Sequence, residues 1–167
     1  MKRVLLTGMS GTGKSTLVQE LAGRGYRAYD ADDGGLSEVV DVSLDEITGI
    51  GPGKDWVWVE DRVRDVLSSE DCDVLFLAGC SPNQHKFYSD FDCVILLTAP
   101  AAVIAQRLAS RTNNRFGKAP DEVARTLQLK ETVEPALRVV ADLELDTSAP
   151  LEEVIAAVLS HVLRDID

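Results

Sequence analysis

The segment that most constrains this chain is the glycine-rich stretch at residues 8–16 (GMSGTGKST). It satisfies the pattern G-x-x-x-x-G-K-S/T, which is informative only when a strand precedes it and a helix follows it. Residues 4–6 (VLL) form an apolar run suited to a buried strand, and Leu17, Val18 and Leu21 recur at helical spacing. The sequence therefore predicts a phosphate-binding loop that joins strand 1 to helix 1.

The residue types of this loop suit the binding of a polyphosphate. Its glycines permit left-handed backbone conformations that turn N–H groups inward, so that a concave nest meets the positive end of helix 1. Lys14 is expected to reach the β- and γ-phosphates, and the Ser15 hydroxyl to ligate Mg²⁺, with Thr16 as a further candidate ligand. The predicted nucleotide contacts in the loop are Gly8, Gly11, Thr12, Gly13, Lys14, Ser15 and Thr16.

Length, charge and cysteine count limit the partners of the chain. A chain of 167 residues has the size of one domain. Its net charge of −11 repels polyanions, so we expect a small ligand and no nucleic-acid polymer. No apolar run approaches the roughly 20 residues of a membrane helix, and no signal-peptide pattern follows Lys2 and Arg3. Three cysteines without metal-ligand spacing favour reduced thiols. We expect a cytoplasmic protein that is a monomer or a homodimer.

Acidic residues follow the predicted second strand, at the edge where a ligand would lie. Residues 26–29 (YRAY) predict a short strand that ends in residues 30–33 (DADD). Ligands of open α/β sheets lie beyond the carboxyl ends of the strands, so this cluster is expected beside the loop. Residues 34–58 are rich in glycine and longer than an ordinary connection, which predicts an acceptor-binding insert. A capping box at Ser43 and Glu46 predicts a short helix inside it.

The alternation of helices and strands continues to the end of the chain. We expect strands at 74–78, 94–97 and 143–145. The expected helices carry Val59 to Leu67, start at Ser81 and Pro82, follow Pro100, and run from Leu151 to Val162 as a final amphipathic helix. A further helix from about 120 to 141 is expected to bend or restart at Pro135. Arg107, Arg111 and Arg115 recur every four residues into a polar stretch with a glycine, which predicts a lid at about 111–119.

These landmarks resemble the small P-loop kinases, especially the group of shikimate kinase, gluconate kinase and adenylate kinase. The resemblance spans nearly the whole chain and rests on the loop, the Asp30-x-Asp32 pair, Gly79, the arginines from Arg107 to Arg115, and residues 146–148 (DTS). It implies an α/β, P-loop NTPase fold with a five-stranded parallel sheet in the order 2-3-1-4-5 and helices on both faces. It also implies ATP and Mg²⁺ as cofactors, in a single domain over residues 1–167.

The resemblance implies roles for the carboxylates and the arginines. Asp30 would hold Mg²⁺ through water or orient the acceptor, since the strand at 74–78 ends without the aspartate that many P-loop NTPases use. Asp32 would contact or deprotonate the acceptor hydroxyl. Arg111 and Arg115 would stabilise charge on the transferring phosphoryl group, and Arg107 would fix their helix beside the nucleotide. The alternatives are carboxylates solvated in a turn and arginines that only solvate a helix.

The nucleotide base and the acceptor have candidate contacts as well. The resemblance places adenine against the loop after strand 5, at Thr147, Ser148, Ala149 and Pro150, although these residues also suit a plain helix start. Two aromatic and two amide side chains are candidates for the acceptor pocket: Trp56, Trp58, Asn83 and Gln84. For the tryptophans, the alternative is one core and one surface residue. For Asn83 and Gln84, it is an ordinary role at a helix start.

The resemblance to shikimate kinases stops at the acceptor. Those kinases hold the substrate carboxylate with arginines, because a guanidinium matches a carboxylate in two parallel hydrogen bonds. Where such arginines belong, this chain has residues 56–58 (WVW) ahead of Glu60, and residues 133–134 (VE). A shift in register could return Arg62 or Arg64 to the pocket. We therefore predict that shikimate is not the acceptor, and that a neutral or amine-bearing hydroxyl compound or a nucleoside suits the pocket better.

Three functions remain open from the sequence. The first is an ATP-dependent kinase that acts on a small hydroxyl compound, and the second is a nucleoside or nucleotide kinase in which Asn83 and Gln84 read a base. The third is a noncatalytic regulatory protein that binds ATP. A GTPase is disfavoured because the chain has no Asn-Lys-x-Asp motif, and an AAA+ motor because 167 residues leave little room for its second, helical subdomain.

Overall fold

Apolar runs and glycine-rich turns alternate along the chain, and the computed structural model describes residues 1–112 and 116–164. The described elements are β1 (Lys2–Thr7), α1 (Lys14–Gly23), β2 (Arg27–Asp30), β3 (Ser37–Asp41), β4 (Lys54–Trp58), α2 (Glu60–Leu67), β5 (Val74–Ala78), a 3₁₀ helix (Gln84–Asp90), β6 (Cys93–Thr98), α3 (Ala101–Ser110), α4 (Pro120–Val140), β7 (Leu143–Asp146) and α5 (Leu151–Leu163). Within these two ranges, no helix combines the length and the apolar character needed to cross a bilayer.

The main sheet has five strands in the order β2-β5-β1-β6-β7, and its strands pair in parallel. Without the two hairpin strands this is the order 2-3-1-4-5, so the predicted P-loop fold is confirmed. The middle strands are apolar on both faces because helices cover both. On one face α1 and α5 contribute Leu21 and Ile155 to the core, and on the other α2 contributes Val63.

Residues 37–58 form an antiparallel hairpin in which β3 pairs with β4, from Ser37 opposite Trp58 to Asp41 opposite Lys54. The short helix predicted at Ser43 is wrong, because only a turn forms there. The backbone N–H of Ser43 still donates to the Glu46 carboxylate at 3.4 Å. A helix cannot propagate into the glycines and proline that follow, whereas the β-branched and aromatic residues on either side favour strand pairing.

Helix α4 runs without interruption through Pro135, so it does not restart there, whereas a bend at this residue stays a prediction. Contacts within the helix and with the phosphate loop hold its two halves. Glu134 accepts hydrogen bonds from Lys130 at 2.8 Å and from Arg138 at 2.9 Å, one turn to either side of it. Leu137 packs in a cluster with Met9 on the phosphate loop. This packing compensates for the backbone hydrogen bond that a proline removes.

Substitution of Gly8, the first glycine of the loop, tests how closely the loop packs on the sheet. Gly8 has a φ of 147°, and a methyl group placed on it would lie 2.2 Å from the Leu97 carbonyl oxygen. We expect Gly8→Ala to lower the free energy of unfolding in urea by about 2–6 kcal/mol, through backbone strain and overlap. Gly23 ends α1 and has no heavy atom within 4 Å of such a methyl group, so Gly23→Ala should raise stability by up to about 1 kcal/mol. Equal effects of the two changes would contradict the close approach of the loop.

Candidate active site

The phosphate loop leaves β1 and enters α1 in the nest conformation that the glycines predict. Gly11 and Gly13 have φ values of 82° and 93°, and Gly13 is the residue that caps α1. The Lys14 side chain folds back over the loop, where its Nζ donates to the carbonyl oxygens of Gly8 at 2.6 Å and Met9 at 3.0 Å. Backbone N–H groups, the helix end and one ammonium therefore converge on one concave surface, which is suited to a polyphosphate.

A hydroxyl and a carboxylate meet beside this surface, where a magnesium ion would fit. The Ser15 Oγ donates to Asp30 Oδ2 at 2.5 Å, and the backbone N–H of Asp32 donates to Asp30 Oδ1 at 3.0 Å. Oxygen ligands of this kind suit Mg²⁺, which takes most of its remaining ligands from phosphate and water. In the described part of the chain, no cluster of three or more His, Cys, Asp or Glu could hold a metal alone. Ser15 and Asp30 are thus the residues that would hold the ion.

Asp32 lies at the end of β2 and is held from the hairpin. Trp56 donates its indole Nε1–H to Asp32 Oδ1 at 2.9 Å. Although solvent reaches Asp32, the surrounding cleft desolvates its carboxyl and raises its pKa, and the charges of Asp30 and Asp33 act in the same direction. The charge of Lys14 and the bond from Trp56 oppose this rise. A carboxylate with a raised pKa, close to the phosphate loop, is suited to accept a hydroxyl proton.

The contact with Trp56 predicts a shift in the pH dependence of activity. The indole N–H stabilises the ionised form of Asp32, so its removal in Trp56→Phe should raise the pKa of that carboxyl. If Asp32 acts as a base, activity is lost as the pH falls through this pKa. The acidic limb of the kcat/KM profile should therefore move to higher pH in the variant. An acidic limb at the wild-type position would contradict the link between Trp56 and Asp32.

Arg107 connects α3 to the phosphate loop and to the connection between β7 and α5. Its Nη1 donates to the Gly11 carbonyl oxygen at 3.3 Å and to Thr147 Oγ1 at 2.9 Å. Thr147 Oγ1 donates in turn to the Thr12 carbonyl oxygen at 2.8 Å. Two of the predicted adenine contacts, Thr147 and Ala149, line the cleft.

The other two predicted adenine contacts are not among the lining residues of the cleft. The backbone N–H and the hydroxyl of Ser148 both donate to Asp146 Oδ1, at 2.8 and 2.6 Å. Pro150 is the residue that caps α5. In this connection the structure therefore brings Thr147 to the cleft, together with Ala149, and uses Ser148 and Pro150 to form the turn and the helix start.

Arg111 lies where α3 ends and the predicted lid begins. Its Nε and Nη2 donate to the Phe116 carbonyl oxygen at 3.0 and 2.6 Å, and its Nη1 donates to the loop residue Ser10 at 3.4 Å. Burial lowers the pKa of this guanidinium, while the charges of Glu122 and Asp32 oppose the shift. A partly desolvated cation beside the phosphate loop can stabilise charge on a transferring phosphoryl group. The predicted partner Arg115 lies outside the described residues.

Of the four predicted acceptor contacts, two line the cleft in the structure and two do not. Trp58 is only 1% exposed and packs against Phe87 in the core, with a ring-centroid distance of 5.4 Å. Asn83 holds the Trp58 backbone, accepting from its N–H at 3.0 Å and donating to its carbonyl at 2.9 Å. Trp56 and Gln84 line the cleft, whereas neither Trp58 nor Asn83 is a lining residue. The alternative of one core tryptophan therefore describes Trp58 better than the pocket prediction does.

Gln84 is buried, and its amide is engaged within the protein. Its Oε1 accepts from the Ser81 backbone N–H and from the Thr7 hydroxyl, each at 3.2 Å. Its Nε2 donates to the Tyr88 hydroxyl at 2.9 Å. This leaves Gln84 one N–H of its amide for a ligand, which limits how it could read a base edge.

The loop, the hairpin and α4 together enclose a cleft of about 1180 Å³. Several residues that line the cleft were not predicted as acceptor contacts from the sequence: Ile47, Ile50, Asp55, Tyr88 and Leu129, together with Glu46, which was predicted only as part of a capping box. Leu129 lies one turn before Val133 on α4, so helical periodicity could have grouped the two. Val133 was considered only as a position where the family resemblance leads us to expect an arginine.

The arginines that could have returned to the acceptor pocket lie elsewhere. Arg62 donates to the Gly35 carbonyl oxygen at 2.7 Å, and the Arg64 guanidinium stacks 4.9 Å from the centroid of Phe87. Neither lines the cleft, and at the second expected position it is Val133 that does. Among the described residues, the arginines that line the cleft are Arg107 and Arg111, at its phosphate end.

Comparison with known proteins agrees with this geometry. The sequence profile of a family described as AAA domain matches residues 4–128. The shikimate kinase of Syntrophus aciditrophicus (strain SB) is 29% identical over 98% of this chain and 90% of its own length. The shikimate kinase of Halorhodospira halophila (strain DSM 244 / SL1) is 27% identical, over 97% and 93%.

A solved structure has the same fold over almost the whole chain. It is described as shikimate kinase from Acinetobacter baumannii in complex with shikimate, and it superposes with a TM-score of 0.64 at 18% identity, over 99% of this chain and 94% of the other. The matched family carries the AAA name, whereas an AAA+ motor needs a second, helical subdomain for which 167 residues leave little room. Residues 4–128 include the phosphate loop, the Asp30-x-Asp32 pair and Arg111.

Proposed function

We propose that the acceptor of this protein is a small hydroxyl compound other than shikimate, although the chain belongs to the AAA domain family and is a small P-loop kinase of the shikimate and gluconate kinase group. ATP-dependent phosphoryl transfer is the activity that its kinase relatives support. The observation that carries the finer proposal is the acceptor end of the cleft. There Asp32 lies close to the phosphate loop, and the arginines that line the described part of the cleft, Arg107 and Arg111, both contact that loop.

The reaction depends on the positioning of ATP and the acceptor more than on covalent catalysis by the protein. The acceptor oxygen forms a bond to the γ-phosphorus while the bond from that phosphorus to the β–γ bridging oxygen breaks, and ADP leaves. Asp32 accepts the hydroxyl proton, Lys14 neutralises charge on the phosphates, and Arg111 stabilises the charge that spreads over the equatorial oxygens. Ser15 and Asp30 would hold Mg²⁺, which would further neutralise the charge of the phosphates.

Shikimate fits this cleft poorly on electrostatic grounds. Its carboxylate would lie near the acidic side chains of the acceptor end, and Val133, in the second stretch where the family resemblance leads us to expect an arginine, lines the cleft. Glu134 does not line the cleft and is engaged by Lys130 and Arg138. A desolvated, unpaired carboxylate costs several kcal/mol, which corresponds to a loss of about 10²-fold or more in affinity. The relatives named as shikimate kinases make this the first compound to test.

A coupled assay of ADP release with Mg-ATP tests the proposal. The panel contains shikimate, gluconate, nucleosides and amino sugars, and we expect acceptor-dependent ADP release with a compound other than shikimate and background rates with shikimate. Nucleosides test the second kinase hypothesis, since Trp56 and Tyr88 offer aromatic surface in the cleft. Asp32→Asn should lower kcat with whichever acceptor is used. Efficient turnover of shikimate would overturn the proposal, and ATP binding without acceptor-dependent ADP release would favour the regulatory alternative.

A further inference from the structure

Charges of both signs line the cleft. Its phosphate end carries Lys14, Arg107 and Arg111, which contact the loop through the hydrogen bonds described above. The rest of the lining carries four carboxylates, of which Asp32 and Asp33 follow β2 beside the phosphate end and Glu46 and Asp55 come from the hairpin. ATP accounts for the positive end. The carboxylates line the space that remains for the acceptor.

Within the described residues, the two hairpin carboxylates that line the cleft have no lysine or arginine as an ion-pair partner. Asp55 is half-buried in β4 and accepts a hydrogen bond from the Trp56 backbone N–H at 2.8 Å. Desolvation raises the pKa of its carboxyl, and the charge of Glu46 acts in the same direction. Across the described ranges, no lysine or arginine forms an ion pair with Asp32, Glu46 or Asp55.

Two cations on or near the hairpin pair with other carboxylates. Lys54 on the hairpin pairs with Asp41. Arg125 on α4, whose Nη2 would lie 3.9 Å from a methyl group on Gly51, pairs with Asp121 at 2.8 Å. His85 also lines the cleft, and its Nδ1 lies 2.9 Å from the Pro82 carbonyl oxygen. The charges of Lys14 and Arg111 interact with that of Asp32, and both cations contact the phosphate loop.

We propose that the acceptor carries a positively charged nitrogen beside its hydroxyl, as in an amino alcohol, an amino sugar or an aminocyclitol. This inference rests on the proposed kinase function and names the class of its acceptor. The site is the enclosed cleft itself, and the carboxylates determine which ligand charge it accepts. An ammonium would neutralise Asp55 and Glu46, which a neutral or anionic acceptor leaves uncompensated.

The apolar side chains of the same region suit such a ligand. Trp56 and Tyr88 can contact an ammonium through their rings, and Ile47, Leu129 and Val133 can cover its carbon skeleton. Asp32 is then left for the hydroxyl, next to the phosphate loop. Asp55 and Glu46 become specificity-determining residues supplied by the hairpin.

Matched acceptors that differ in charge test this inference. The pairs are glucosamine with N-acetylglucosamine, choline with 3,3-dimethyl-1-butanol, and 2-deoxystreptamine with its di-N-acetyl derivative, assayed for ADP release with Mg-ATP. We expect kcat/KM to be at least about 10-fold higher for the charged member of a pair. Equal rates within the pairs, or a preference for the neutral members, would overturn the inference and leave the kinase function intact.

Variants of the hairpin assign the preference to its residues. Asp55→Asn and Glu46→Gln should each lower kcat/KM for a charged acceptor by about 5- to 50-fold, with little change for its neutral partner or in the KM for ATP. Glu38→Gln, an exposed change on β3 outside the cleft lining, should have no effect. An unchanged charge preference in both cleft variants would contradict the assignment. If no acceptor of either charge releases ADP, the proposed function itself fails and the inference falls with it.

Discussion

Lys14→Ala is expected to lower kcat by about 10²- to 10³-fold, which is the scale of removing one charged group that contacts the transferring phosphoryl group. Lys14 is the only side-chain cation within residues 8–16, and its Nζ already lies over the nest, bonded to the Gly8 and Met9 carbonyl oxygens. No other loop residue can supply that charge. Steady-state ADP release at saturating ATP and acceptor measures the loss.

A lysine outside the cleft is the control for this change. Lys86 on the 3₁₀ helix pairs with Glu60 and does not line the cleft, so Lys86→Ala should keep the wild-type kcat. Mg-ATP should raise the melting temperature of the wild-type protein, because a ligand that binds only the folded state stabilises it. Wild-type turnover in Lys14→Ala would remove the basis for assigning the loop to catalysis.

Arg111→Ala is the second change with a large expected effect, a loss in kcat of about 10²- to 10³-fold with a smaller rise in the KM for ATP. The reason is the position of the guanidinium, which donates to Ser10 of the phosphate loop and is partly desolvated. Charge that develops only in the transition state is stabilised by such a group, so the effect falls on kcat. Arg115, the other arginine predicted for this role, stays a prediction.

Two further variants separate charge from lid structure. Arg111 also donates to the Phe116 carbonyl oxygen in the predicted lid, so its removal breaks that contact as well. Arg111→Lys keeps the charge but loses the planar fork, and it should recover part of kcat if charge is the main contribution. Arg27→Ala breaks an exposed ion pair with Asp71, away from the cleft lining, and should leave both constants unchanged. A kcat for Arg111→Ala equal to that of Arg27→Ala would contradict the catalytic role.

Features encoded by contiguous residues were predictable from the sequence. The loop at residues 8–16 was recognisable because its glycines, lysine and serine act through local backbone conformation and a helix end. The strand at 74–78 was found at its exact bounds, since a buried parallel strand is an uninterrupted apolar run. The strand order then followed from the family resemblance together with the handedness of crossover connections.

Tertiary contacts between distant residues decided the acceptor site. Trp56 and Trp58 are two residues apart on β4, and the sequence predicted both equally as acceptor contacts. In the structure Trp58 lies in the core, where Asn83 bonds to its backbone. Trp56 instead donates a hydrogen bond to Asp32. The hairpin replaced a predicted helix because the strands flanking its loop pair with each other. Likewise, Glu46 and Asp55 became cleft residues only through that pairing. Local pattern therefore determined where phosphate binds, whereas packing between remote segments determined what faces it, since side-chain direction there depends on contacts that no local pattern encodes.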